Sequence, residues 1–280
     1  MTATTSSSTA TTTSPRRREV RTSRPPMIAI VVAAIAITFF AAPLVGLLLR
    51  APWGSMWAEL SAPETVEALK LSLVCSLAAT VLSVVFGIPL AWVLARQDFP
   101  GRRAARALVT LPMVLPPVVG GVALFLAFGR RGFIGEPLDD VFGVTLPYTT
   151  LGVIVAETFV AMPFFVIAVE AALRSVDRRY EEAATTLGSG RITTFRRVTL
   201  PLIGPSLVAG AALSWARALG EFGATITFAG NLPGKTQTMP LAIFLEFENG
   251  NTDGAIALSL VLVLISMAVL VGLRDRWLRA

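Results

Sequence analysis

The chain has 280 residues, 54% of them hydrophobic and 15% charged, with a mean hydropathy of +0.70 and a formal net charge of +6. About a quarter of a soluble domain is charged, so a water-soluble globular fold is excluded. The absence of histidine removes imidazole metal ligands, Ser/His and Cys/His nucleophile pairs and histidine proton relays.

Residues 1–26 are rich in Ser and Thr, then in Arg and Pro, with too few apolar side chains to offset the entropy of ordering. They are expected to form a disordered cytoplasmic tail. The apolar run Met27–Leu49 exceeds the roughly 7–15 residues of a signal-peptide core, so 27–49 reads as a first transmembrane helix and not a cleaved leader. A helix crosses a bilayer with about 20 mostly apolar residues. Four more runs qualify: Leu71–Ala95, Ala107–Gly129, Leu151–Leu173 and Ala255–Leu273. A sixth, Leu200–Ala229, is long enough to span although Arg217 and Glu221 lie in its interior. Pro89, Pro112, Pro116, Pro117 and Pro163 remove helix donors and imply kinked packing. Cys75, the one cysteine, lies inside an apolar run and reads as packing. The chain is thus expected to be an all-α integral membrane protein with six transmembrane helices.

Its direction follows from the Lys/Arg excess of cytoplasmic loops. With the N-terminus inside, that face holds five arginines in Arg16–Arg24, four in Arg96–Arg106, six in Arg174–Arg197 and three in Arg274–Arg279, or eighteen of the 24 basic residues. The opposite face keeps Arg50, Lys70, Arg130, Arg131 and Lys235, alongside Glu136, Asp139 and Asp140. Both termini, including a short basic tail at 274–280, are therefore expected in the cytoplasm. Arginines at the ends of apolar runs orient a protein in a lipid bilayer, whereas nucleic acid as a partner would call for one basic face.

Between the fourth and fifth runs lies a polar cytoplasmic loop, 177–199. Tyr180, Ala183, Ala184 and Leu187 share one side of a short helix that Gly188 would end, a second helix would begin at Gly190, and Pro201 would open the next span, where a missing N–H costs little. Ala183 and Ala184 leave a small, close-packing surface with Glu182 and nearby arginines around it.

Glu182-Ala183-Ala184, three residues, Gly188, nine residues, then Val198-Thr199-Leu200-Pro201 resembles the EAA loop of ABC importer permeases, with valine for the usual isoleucine. The resemblance covers about residues 62–273 and implies a type I ABC importer permease fold. It makes this loop, with Glu182, Ala183, Ala184, Gly188, Leu200 and Pro201, the element that docks on a cytosolic ATPase.

A further segment, Ala216-Arg-Ala-Leu-Gly-Glu-Phe-Gly-Ala-Thr225 continuing through Gly230-Asn-Leu-Pro-Gly-Lys-Thr-Gln-Thr-Met-Pro240, is similar to the signature of molybdate and sulfate permeases. The stretch 216–225 is shared by both groups, whereas 230–240 is more similar to the molybdate side. The implied cargo is a tetrahedral dianion, molybdate first, with sulfate or thiosulfate and tungstate as alternatives.

Ser214, Arg217, Glu221 and Thr225 fall on one side if this segment is helical, a polar stripe expected to face protein or a water-filled path. A lone charge at the bilayer centre costs at least ~2.5 kcal/mol, so intramembrane charges are functional candidates. Arg217 and Glu221 can neutralise each other at i, i+4. Two readings stand, a structural or gating ion pair and direct oxyanion contact. A strong static cation would trap a dianion, which weighs toward the pair. Gly220 and Gly223 would break the stripe if they loosen the helix. Glu157 is a weaker candidate.

Gly230–Thr236 resembles a phosphate loop but has three residues between its glycines where the motif needs four. Nucleotide hydrolysis is therefore expected on another polypeptide, and the chain is not an enzyme. It needs no cofactor, with ATP and Mg on the ATPase. The resemblance implies two permease copies, two ATPases and an external solute-binding protein in the cell membrane. A secondary transporter is the rival class, since Arg217, Glu221 and Glu157 are intramembrane charges, but no internal repeat is evident. With seven residues after the last run, cargo feedback is expected to reside in a partner.

Overall fold

The structure, a computed structural model, describes residues 26–277, without the side chains of residue 270 and residues 273–277. The tail expected at 1–26 lies outside the described residues except for Pro26, as does the end of the basic tail at 274–280. No strand occurs among the described residues. The chain forms two compact units, Met1–Gly46 and Leu47–Ala280. The first contributes most of helix α1, Met27–Leu49, whose bounds match the first apolar run residue for residue.

The second unit begins with α2 (Met56–Ser61), α3 (Pro63–Arg96), α4 (Arg102–Val114), α5 (Pro117–Phe128), α6 (Gly135–Phe142) and α7 (Thr150–Ser175). It continues with α8 (Arg179–Thr186), α9 (Arg191–Thr194), a π-helical turn (Phe195–Thr199), α10 (Leu200–Leu219), α11 (Gly223–Phe228), α12 (Met239–Glu248) and α13 (Thr252–Trp277). Five described helices are long and apolar enough to cross a membrane: α1, α3, α7, the continuous helix Arg191–Leu219, and α13 through Val269. The shorter apolar α5 takes the place of the remaining run.

Two runs read as single helices are broken. Ala107–Gly129 is divided between α4 and α5 because Leu115 and Pro116 adopt extended backbone, at ψ 136° and 130°. A residue before proline is driven out of the helical region, and the tandem Pro116-Pro117 applies this twice. Leu200–Ala229 is divided at Gly220 and Glu221, so Ser214 and Arg217 belong to α10 and Thr225 to α11. The continuous stripe expected through all four residues therefore does not exist. Pro201 stands second in α10, at the helix start where it was expected, but α10 continues without a break from α9 and the π-helical turn as one helix, Arg191–Leu219. The π-helical turn immediately before α10 accommodates the proline: Leu200 N–H bonds five residues back to Phe195 O, widening the helix where the Pro201 ring would crowd the preceding turn.

At the centre α3, α7 and α10 pack around Phe165, which is fully buried between Gly87 of α3 and Gly210 of α10. A Cβ on Gly87 would lie 2.6 Å from the Phe165 ring, and one on Gly210 would lie 3.1 Å from Ala168 Cβ. In a bilayer, helices associate through such close packing of small residues, because lipid is as apolar as the side chains. Ala91, Leu94, Val166, Val169, Leu173 and Ile203 extend this core toward the α8 end.

That end is a lattice of arginines. Arg102 Nε donates to Leu94 O at 2.9 Å and Arg106 Nη2 to the same carbonyl at 3.3 Å, satisfying the last turn of α3. Arg106 and Arg174 converge on Glu170 Oε1 at 2.6 and 2.7 Å. Glu170, a charge inside the fourth apolar run, is thus neutralised by side chains from two helices.

Candidate functional site

The loop 177–199 folds as two short helices joined by a glycine turn. Gly188 has φ +83°, the left-handed conformation expected at its cap, and Ser189 N–H closes the turn on Ala184 O at 3.0 Å. Of the four residues expected on one side of α8, Tyr180, Ala183 and Leu187 are exposed and Ala184 is half-buried. Leu187 and Ile192, 88% and 76% exposed, are large apolar side chains on the outside of an otherwise polar loop. Glu182 is exposed and has no side-chain bond among the described residues; Leu200 is half-buried and Pro201 exposed at the start of α10.

Sequence reasoning missed Glu181, the inward-facing neighbour of Glu182. Arg96 Nη2 and Thr199 Oγ1 both donate to Glu181 Oε1, each at 3.0 Å. Nothing in the Glu181-Glu182 pair ranks one above the other until the end of α3 is placed beside α8.

The second cluster forms where α10 breaks. Arg217 Nη1 meets Glu221 Oε2 at 2.6 Å, and Glu221 Oε1 accepts the N–H of Ala224 at 2.8 Å in the first turn of α11. One carboxylate therefore ends one helix and starts the next. Glu221 is 1% exposed and the Arg217 side chain 28%. Ser214 Oγ donates to Ala161 O of α7 at 3.1 Å, and Thr225 is fully buried with no bond at its hydroxyl. Arg217 is thus the one of the four with substantial exposed surface. Glu157 is buried in α7, where Val153 packs with Cys75 of α3 and Ala229, and Ala161 with Ala79 of α3 and Ala218 of α10.

The segment 230–238 is not a phosphate cradle. Leu232 O receives the N–H groups of Lys235, Thr236 and Gln237 at 3.1, 2.9 and 3.1 Å, so amides that would face an anion are spent on the turn itself. Thr150 Oγ1 donates to Lys235 O at 2.9 Å, and Met239 N–H donates to Ser72 Oγ at 2.7 Å. These bonds hold the segment against the start of α7, and the start of α12 that follows it against α3, at the end of the unit opposite α8.

Residues 87–279 match the family model described as binding-protein-dependent transport system inner membrane component. The chain belongs to this family. It is a multi-pass membrane permease component. It is similar to the molybdenum transport system permease protein ModB of Mycobacterium tuberculosis, 46% identical over 244 residues, covering 87% of this chain and 92% of the relative. The sulfate transport system permease protein CysT of Escherichia coli is 40% identical, covering 81% and 82%. Among solved structures, one chain of a bacterial alginate ABC transporter in complex with an alginate pentasaccharide-bound periplasmic protein superposes with a TM-score of 0.68 at 18% identity. The superposition covers 88% of this chain and 91% of that one and shows a shared fold.

Proposed function

We propose that this chain is the permease subunit of an ATP-driven importer that carries molybdate into the cytoplasm. The observation that carries the reading is the likeness to ModB across nearly its whole length, together with the loop whose apolar side chains stand outside the fold. Tyr180, Ala183, Leu187 and Ile192 offer a surface that a protein cleft would cover, and Glu182 lies at its edge. The ATPase, holding ATP and Mg, is a separate cytosolic subunit docked there. Two permease copies, two ATPases and an external solute-binding protein complete the machine.

Energy enters through that contact as differential binding of the ATPase pair to inward-open and outward-open permeases. Arg217 and Glu221 act as the structural or gating pair at the helix break, with Ser214 and Thr225 buried in the helices on either side of it. Sulfate is the second reading, favoured by the CysT likeness. Uptake of labelled molybdate, tungstate and sulfate in a strain lacking this chain separates them. Molybdate uptake is expected to fall to background while sulfate uptake persists; unchanged molybdate uptake, in a host with no second system, rejects the cargo.

In the proposed permease core 62–273 the turn 97–101, flanked by Arg96, Arg102 and Arg103, and the loop 177–199 share one end, with segment 230–238 at the other. The first is assigned to the cytoplasm with both termini, 1–26 and 274–280. Reporter tags near Gly101 and at either terminus are expected to be cytoplasmic and one near Asp139 external; a cytoplasmic signal at Asp139 reverses the assignment.

A further inference from the structure

Three segments far apart in sequence meet at one carboxylate oxygen. Arg96 is the last residue of α3, Glu181 lies in the first turn of α8, and Thr199 closes the π-helical turn that leads into α10. Both donors reach Glu181 Oε1. The surroundings are sheltered, with the Arg96 side chain 8% exposed, Thr199 2% and the Glu181 side chain 24%. The rest of α8 is mostly exposed, so the helix rests on a narrow edge formed by Glu181 and Ala184. Among the described residues, Glu181 is the one residue of α8 whose side chain is hydrogen-bonded or ion-paired to the membrane helices, through Arg96 and Thr199.

The two ends of this contact differ in rigidity. The end of α3 is fixed by Arg102 and Arg106 on its terminal carbonyls, and Arg106 in turn is fixed to α7 through Glu170. Thr199, by contrast, stands at the widened turn of a helix that runs on to the break beside Arg217. A displacement of α8 therefore meets a fixed point at Arg96 and a deformable one at Thr199. Charge-assisted bonds hold such a joint more firmly than neutral ones.

We infer that Glu181 is a positioning residue that passes movement of α8 to α10 by holding Arg96 and Thr199 on one carboxylate. This rests on the reading of α8 as the ATPase-docking element. It assigns Glu181 a task distinct from docking, because the outward side chains Tyr180, Ala183 and Leu187 are left unchanged when Glu181 is altered.

The test uses the full complex with its ATPase in detergent or nanodiscs and needs no cargo. A reporter cysteine, Leu213→Cys on the exposed side of α10, is labelled with a maleimide with and without ATP and vanadate. In the otherwise unaltered complex, ATP is expected to change the labelling rate. With Glu181→Leu, which keeps the bulk but removes the acceptor, ATPase co-purification is expected to stay within about twofold while the ATP response falls about tenfold, as loss of a charge-assisted bond implies. Glu181→Gln retains an acceptor for Arg96 and Thr199 and is expected to restore most of the response. Thr199→Val, a milder change, is expected to halve it at least.

An unchanged ATP response in Glu181→Leu overturns the inference, as does loss of ATPase association in that variant, which would place Glu181 in the docking surface or the folding of the loop. A Glu181→Gln variant as impaired as Glu181→Leu overturns it too. Absence of any ATP response in the unaltered complex rejects the importer reading and this inference with it.

Discussion

Glu221→Ala is expected to abolish uptake and to lower the thermal stability of the purified permease. Glu221 is nearly fully buried and spends both oxygens, one on Arg217 and one on the Ala224 N–H. Removing one member of a buried pair leaves an uncompensated charge and costs about 3–5 kcal/mol. Here the lower end applies, because the Arg217 side chain retains 28% exposure and is partly screened. Loss of a carboxylate that caps α11 adds ~1 kcal/mol. Arg217→Ala leaves the more deeply buried charge with only the Ala224 N–H as partner and is expected to be at least as destabilising. The double variant is expected to fall short of the sum of the two, the mark of residues acting on each other. A melting series in detergent with matched uptake assays checks this; strict additivity would show that the two act independently.

Gly188→Val is expected to leave membrane insertion intact and to reduce ATPase co-purification about tenfold, which corresponds to ~1.4 kcal/mol. No atom lies within 4 Å of where a Cβ would stand, so sterics with neighbours are not the obstacle. The obstacle is φ +83°, a conformation that costs an L-residue roughly 1–2 kcal/mol and a β-branched one more. The turn would relax by changing the angle between α8 and α9, and with it the spacing of Leu187 and Ile192 on the presented surface. Gly188→Asn, which tolerates the left-handed region, is expected to retain association. Full association and normal uptake in Gly188→Val would remove the docking assignment.

Helix α1 was legible to the residue because an uninterrupted apolar run is both the sequence signal and the physical cause of a span. The second, fourth and last runs lie inside α3, α7 and α13 for the same reason. The breaks at Leu115-Pro116 and Gly220 were visible only as residues that permit interruption, since hydropathy measures side-chain transfer and is blind to backbone direction. Ser214, Arg217, Glu221 and Thr225 were accordingly found as polar residues but placed on one continuous face that the chain does not form. The loop 177–199 was legible as a motif, with its left-handed glycine in place. The choice between Glu181 and Glu182 was not, because it depends on Arg96, 85 residues earlier. The short α2 and α6 carry no long apolar run and left no such signal.

The π-helical turn before Pro201 joins α9 and α10 into one rod of 29 residues, Arg191–Leu219, with its outer end in the polar loop. At 1.5 Å per residue such a rod is ~40 Å long, so a tilt of ~5° about one end sweeps the other through ~3.5 Å. That sweep exceeds the 2.6 Å separating Arg217 Nη1 from Glu221 Oε2. Were the helix to turn as one body, a rotation small at the loop would therefore reach the break beside Arg217 as a displacement longer than the ion pair itself; any bending at the π-helical turn would shorten that reach.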